Sequence, residues 1–228
     1  MTQTWYNLLF AHWPIPAATM RALVPPQLEL DTFDGQAWVG VVPFGMKQVY
    51  PRGTFSVPWL SRFLEMNVRT YVTLGGKPGV WFFSLDAANS AAVALARRFF
   101  HLPYYHARMR MHNRKGWIQY TSFRTHAGAT PAEIDARYRP TGPVYHSTPG
   151  TLEAWLTDRY CLYSLGPRGD VYRGEIHHAR WPLQPAEAEF NANSMAMACG
   201  LHLPSTPPLL HFARNLKTFE WLITPVKA

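Results

Sequence analysis

Short alternations of apolar and polar residues, broken by Gly, Pro and Asn/Asp turns, organise this chain. Side chains on a strand point to opposite faces in turn, so alternation marks a strand with two different faces. The pattern predicts strands over 28–33 and 36–44, joined at Asp34-Gly35. It predicts another pair over 64–74 and 80–85 around 75–79, and a third over 105–112 and 117–124 around 113–116. Further strands are predicted over 132–139, over 161–165 and 171–178 around 166–170, and over 216–223. Hairpins repeated in this way argue for an antiparallel meander or barrel.

Helical spacing interrupts the alternation in three places. Asp86 or Asn89 can cap a run over 87–100, which ends in Arg97-Arg98, cations that complement a helix C-terminus. Thr148 with Pro149 can open a second helix, with Leu152, Trp155, Leu156 and Tyr160 as its apolar stripe. A third, short helix is predicted over about 193–199, with Gly200 at its left-handed C-cap. The 20 prolines are spread throughout, and no low-complexity linker divides the chain. The expectation is one domain over 1–228, mainly β with about three helices, of the α+β class.

Three strands carry polar residues on one face. On 64–73, Glu65, Asn67, Arg69, Tyr71 and Thr73 alternate with Leu64, Met66, Val68, Thr70 and Val72. That polar face either meets solvent or lines an interior, where Glu65 and Arg69 would pair or grip a polar ligand. On 104–112, Tyr104, His106, Arg108, Arg110 and His112 share a face; an exposed basic edge is the alternative to a carboxylate-binding one. On 173–178, His177 shares a face with Arg173 and Glu175, while His178 points the other way. His12, in a Trp/Pro-rich segment, reads as a packing residue.

Composition narrows the classes. Hydrophobic residues make up 47% and charged residues only 16%, which excludes disorder and permits a large core. The net charge of +8 comes from scattered Arg rather than a basic run, which argues against a nucleic-acid surface. The two cysteines, Cys161 and Cys199, form no metal-ligand spacing or CxxC pair and suit a reducing compartment. No apolar run is long enough for a membrane span, and 1–7 has no signal-peptide pattern, so the expected location is the cytoplasm. No nucleophile elbow, phosphate loop or dinucleotide glycine pattern is present, and neither a metal nor a cofactor is expected.

Several stretches together carry a resemblance. They are Ala11-His12-Trp13-Pro14, Leu23-Val24-Pro25-Pro26, 38–44, 65–72, Leu102-Pro103-Tyr104-Tyr105-His106-Ala107 and 173–178. The chain resembles, from about residue 8 to 222, the YqjF-like proteins, a bacterial family of unknown function (domain of unknown function 2071). That family is similar in turn to the acetoacetate decarboxylase-like superfamily. The resemblance implies an antiparallel β-barrel or cone with a central cavity and flanking strands and helices. In the decarboxylase a Gly-Arg-Glu element precedes a Pro-Lys-Lys element. The first lysine forms a Schiff base, and the second lowers its pKa by like-charge repulsion. Here Ala96-Arg97-Arg98 and Pro103-Tyr104-Tyr105 take those places. A phenol cannot form an imine, so this site cannot perform Schiff-base decarboxylation. None of Lys47, Lys77, Lys115, Lys217 and Lys227 is an evident substitute.

The resulting expectation is a cavity that binds a small anionic or carbonyl-containing molecule. Arg69, Arg97, Asn67, Tyr105 and His177 are its candidate ligand-binding residues. Glu65, Tyr104 and His106 are candidates for acid–base work, as in a lyase, hydratase or isomerase acting on an oxo acid. A non-catalytic sensor using the same cavity is the alternative, and binding to nucleic acid a lesser one. No membrane partner is expected; self-association into a homo-oligomer stays open.

Overall fold

The computed structural model describes residues 1–50 and 61–226. In chain order the elements are β1 (Thr2–Ile15), α1 (Ala17–Arg21), β2 (Glu29–Leu30), β3 (Ala37–Tyr50), β4 (Phe63–Leu74), β5 (Lys77–Ala87) and α2 (Ser90–Phe100). Then come β6 (Tyr104–Arg114), β7 (Trp117–Arg124), β8 (Glu133–Pro140), α3 (Leu152–Thr157), β9 (Cys161–Leu165), β10 (Val171–His178), β11 (Leu183–Asn193), β12 (Leu209–Glu220) and β13 (Thr224–Pro225). The fold is mostly β; among the described residues it has three α-helices and one short 3₁₀ turn, Met197–Cys199.

Two strands fork, and the forks define the architecture. One edge of β5 pairs with β4 along its length; on the other, Val80 and Trp81 pair with β9 while 85–87 pair with β6. Likewise β12 pairs with β1 on one side, and with β11 and then β10 on the other. The pairings therefore close two circuits through one shared wall, β1, β3 and β4. The first circuit returns through β9 and β10. The second returns through β6, β7, β8 and β11. Both pairings of β5 across the fork are parallel, which corrects the purely antiparallel expectation; the connection from β5 to β6 runs through α2, as a parallel pair requires.

A wall shared by two enclosures is buried on both faces. Leu9, Val39, Val41, Met66 and Val68 point into the second circuit and pack with Ile118, Tyr120, Ile134 and Tyr138. Their neighbours Leu8, Phe10, Val42 and Phe44 point into the first. The polar face of β4 thus faces an interior: Glu65 is 4% exposed, Asn67 5% and Arg69 9%.

Several predicted elements shift. The Asp34-Gly35 turn forms, with both residues at positive φ, but only Phe33 and Gln36 bridge it, and β2 pairs with β4 rather than β3. The turn at Gly75-Gly76 is a tight two-residue one, since Leu74 pairs directly with Lys77. Asn89, not Asp86, caps α2, accepting from the Ala92 N–H at 3.0 Å. Asp86 instead forms a buried ion pair with Arg124 at 2.6 Å. Thr151 rather than Thr148 caps α3, and Tyr160 lies beyond its end. The segment from Asn193 gives only the 3₁₀ turn, although Gly200 is left-handed at φ 81°. β12 begins seven residues before the predicted strand, and Trp221–Ile223 lie past its end.

The β5–β9 junction depends on Gly79. A Cβ there would sit 2.7 Å from Cys161 Sγ and 2.9 Å from the Cys161 carbonyl oxygen. Gly79→Ala is expected to cost about 1–3 kcal/mol of stability through overpacking. An unchanged urea midpoint would show that β9 is not held this closely.

Candidate functional site

The strands of the first circuit line a cavity of about 300 Å3, partly open to solvent, since Leu95 in its wall is 53% exposed. Alternation along its strands decides which side chains reach it. Val42, Phe44 and Met46 come from β3, Glu65, Asn67 and Arg69 from β4, and Phe82 and Leu85 from β5. Leu162 comes from β9, Ile176 and His178 from β10, and Glu220 from β12. Helix α2 adds Ala92, Leu95, Ala96 and Phe100.

Two arginines are anchored at the C-terminal end of α3, whose last carbonyls lack helical partners. Arg69 Nη2 donates to the Leu156 carbonyl at 3.2 Å. Arg159 Nε donates to the Trp155 carbonyl at 2.7 Å, and its Nη1 pairs with Asp31 Oδ2 at 2.5 Å. Arg159 is 6% exposed, and both guanidiniums line the cavity. Arg69 Nε and Arg159 Nη2 remain buried without a hydrogen-bond partner, as do Trp5 Nε1 and Asn67 Oδ1 in the same walls. Buried polar groups without partners are rare and costly, and these four belong to residues around one cavity.

Beneath this pole lies a locked network. Tyr71 Oη donates to the Leu156 carbonyl at 2.8 Å and lies 2.7 Å from His12 Nε2. Burial, with the Arg69 charge, lowers the pKa of His12 well below its usual range; because Tyr71 gives its proton to Leu156, the neutral ring donates from Nε2 to Tyr71 Oη. His12 is thus a buried core residue that supports the site from behind.

The other pole is acidic. Tyr104 Oη donates to Glu65 Oε2 at 2.8 Å. Burial pushes the Glu65 carboxyl up to about 8, against the pull of that hydrogen bond, with repulsion from Glu220 and Asp86 adding to the rise. Burial likewise raises Glu220 to about 7, and Gln3 donates its amide to that carboxyl. Glu65 and Arg69 do not pair. Four residues along a strand put them roughly 13 Å apart.

The structure therefore gathers Glu65, Asn67, Arg69 and Tyr104 around one cavity and leaves four other candidates outside it. β6 pairs with β5 only over 104–106 and then joins β7, so Tyr104 alone of that strand lines the cavity. His106 Nδ1 instead lies 3.0 Å from Thr125 Oγ1. Tyr105 faces the opposite way, under Arg124 and against His126. Arg97 holds the Tyr104 carbonyl at 2.7 Å from outside. His177 is exposed, and its neighbour His178 has the inward position. Sequence reasoning missed Trp5, Arg159, His178 and Glu220. Only His178 had a signal, the opposite parity to His177. No group of three or more His, Cys, Asp or Glu among the described residues could hold a metal ion.

Comparison with known proteins agrees with this architecture. The DUF2071 family, described as an uncharacterized conserved protein, matches residues 2–217. An uncharacterized protein of Bacillus subtilis, YqjF, is 44% identical over 221 residues, covering 97% of this chain and 90% of that one. The enduracididine biosynthesis enzyme MppR superposes with a TM-score of 0.70 at 11% identity, covering 99% of this chain and 87% of its own. Acetoacetate decarboxylase from Legionella pneumophila gives 0.61 at 15% identity, covering 100% and 89%. At such identities these structures establish the shared fold.

The raised Glu65 carboxyl has a stability signature. The unfolded chain releases this proton in the ordinary carboxylate range, whereas the folded chain keeps it to about pH 8. Stability is therefore lost as pH rises between those values. Glu65→Gln retains an acceptor for Tyr104 and removes the penalty. Each tenfold difference in proton affinity between folded and unfolded chain is worth about 1.4 kcal/mol. The variant is therefore expected to gain a few kcal/mol over the parent near pH 9, and nothing near pH 4. Chemical denaturation across that range checks this; a pH-independent difference would mean an ordinary carboxyl.

Proposed function

The chain belongs to the DUF2071 family, and from that premise we propose that it is a cytoplasmic protein that binds a small organic anion in the β4-walled cavity. We read the first strand circuit as an acetoacetate decarboxylase-like barrel whose lumen is this cavity. Arg69 and Arg159 receive the carboxylate or carbonyl oxygen of the ligand. The observation that carries the reading is a pair of buried guanidiniums in the wall of one cavity, of which, among the described residues, only Arg159 has a carboxylate partner, Asp31. Charge-assisted hydrogen bonds from Arg are the strongest such contacts available to a protein. The fold neighbour MppR is described in complexes with HEPES buffer and with pyruvate, both acids, which supports the ligand class by analogy.

Imine chemistry by the chain's own lysines has no support in this cavity. No lysine among the described residues lines it. Lys47 and Lys217 lie over the rings of Tyr6 and Phe219, Lys77 pairs with Glu175 at 2.6 Å, and Lys115 occupies a turn; Lys227 lies outside the described residues. If the bound molecule reacts, Glu65 with Tyr104 supplies the acid–base pair, since a carboxyl near 8 can both give and take a proton at neutral pH. A nucleic-acid role has less support. Arg137 and Arg139, basic side chains of the sheet, are matched by Glu189 and Glu187, and Arg173 shares Glu175 with Lys77.

Two experiments test the reading. Octanoate should bind in calorimetry and octanamide should not. Arg69→Met should weaken octanoate binding by at least about tenfold, the cost of a charged hydrogen bond. Equal affinity of parent and variant would remove Arg69 from the site. Borohydride treatment with pyruvate or acetoacetate should leave the mass of the protein unchanged; a reduced adduct would show that a lysine amine reaches the substrate.

A further inference from the structure

The cavity is buried at one end and open to solvent at the other. Around Arg69 and Arg159 the lining residues Thr157, His178 and Trp181 are buried. At the Glu65 end the lining is half-buried: Val49 and Tyr50 at the end of β3, Phe63 at the start of β4, and helix α2. The topology puts α2 there, because β5 ends at Ala87, the cross-strand partner of Glu65, and α2 begins at Ser90. On α2, Ala92, Leu95, Ala96 and Phe100 line the cavity, at the spacing of one helix face. Phe99, four residues after Leu95, continues that face beyond the lining. Leu95 is 53% exposed and Phe99 55%. Single exposed apolar residues need no explanation, but these two carry the apolar lining of the cavity out to the surface. The polar groups at this end have partners. Glu65 accepts from Tyr104, Glu220 accepts from Gln3, and the Met1 ammonium donates to the Glu220 carbonyl. Glu65 keeps its proton at neutral pH and is uncharged there. A volume of about 300 Å3 holds about ten non-hydrogen atoms at ~30 Å3 each, the size of octanoate.

Resting on the anion reading above, we propose that the ligand is a long-chain monocarboxylic acid whose carboxylate sits at the buried arginine end, and whose apolar chain outgrows the cavity and leaves it past α2, covered by Leu95 and Phe99. An acid that enters head first lays its chain along Phe44, Phe82, Leu85 and Leu102 and brings its far end to the helix. Ala92 and Ala96 add little bulk to this path. A chain longer than the cavity then takes the exposed apolar surface of α2 out of water, which is favourable for each methylene it covers. A short acid leaves that surface wet, so chain length is what the mouth of the cavity selects.

The test is calorimetric titration of the full chain with octanoate, decanoate and dodecanoate at neutral pH, each below its micellar concentration. A methylene is worth about fourfold in affinity when fully buried and about twofold when half of it stays in water. Dodecanoate is therefore expected to bind about tenfold more tightly than octanoate, with decanoate between them and a single molecule bound per chain. Arg69→Met should weaken dodecanoate as it weakens octanoate. The double variant Leu95→Gln, Phe99→Gln keeps good helix formers at two exposed positions, and should cut the preference for dodecanoate to about threefold or less. Affinity that falls from octanoate to dodecanoate would reveal a closed pocket and overturn the inference, with no variant needed. So would a preference for dodecanoate that the double variant leaves intact, or dodecanoate binding that ignores Arg69→Met. Those results leave the anion reading standing, because octanoate still binds. Failure of all three acids to bind would instead overturn that reading, and this inference with it.

Discussion

A strand buried on both faces cannot give its polar side chains to water. β4 is such a strand because two closed circuits of pairing share it as a wall. Its outward residues, Met66, Val68 and Val72, meet this demand by being apolar. Its inward residues, Glu65, Asn67 and Arg69, are polar or charged, and each needs partners inside the enclosure. The functional reading follows from how incompletely the protein meets that need. Glu65 receives a hydrogen bond from Tyr104 and Arg69 reaches the Leu156 carbonyl, but Arg69 Nε and Asn67 Oδ1 have no partner.

The arrangement around this strand keeps the charges apart. α3 is only six residues long, yet its last carbonyls receive Arg69, Arg159 and Tyr71. A helix C-terminus is a favourable place for cations, so the guanidiniums are held without a full set of carboxylates. Asp31 takes one edge of Arg159. His12, kept neutral by burial, adds a hydrogen bond to Tyr71 without competing as a charge. At the opposite end burial favours the protonated carboxyls, with Glu65 hydrogen-bonded by Tyr104 and Glu220 by Gln3, and the Met1 ammonium opposing the rise at Glu220. Asp86, close to Glu65, is instead bound bidentately by Arg124 and so taken out of the cavity.

The local structure was largely legible in the sequence, and the closure was not. β8, β9 and β10 fall where alternation and turns place them, because each pairs with a sequence neighbour. β1 was missed because it is buried on both faces: Leu8, Leu9, Phe10 and Ala11 run together without alternation, and no turn announces them. β11 was missed because Pro185 and the acidic residues after it resemble a loop; cross-strand pairs from Glu187 and Glu189 to Arg139 and Arg137 hold it in place. The polar face of β4 could be read as a set, but its burial depends on strands far away in sequence. Arg159 and Glu220 carry no local signal, since each reaches the cavity only through α3 or the β12 fork. His106 failed for a related reason: strand parity put it beside Tyr104, but β6 leaves the wall after three residues.

Tyr104 and Tyr105, which stand where the resemblance to the decarboxylase places lysines, have a structural consequence of their own. An amine at 104 would stand next to Glu65 and ionise it. A phenol stands there instead, donates one hydrogen bond, and leaves the carboxyl protonated until about pH 8. The guanidiniums of the cavity lining, Arg69 and Arg159, are then at the far pole from this carboxyl, with Asn67 between them on β4 and mostly apolar side chains in the rest of the lining. The cavity is polarised in this sense, and under the proposed reading it would orient a bound acid with its carboxylate at the arginines and the rest of the molecule toward Glu65 and Tyr104. Orientation of this kind is what a binding site needs for selectivity and what an acid–base pair needs before it can act.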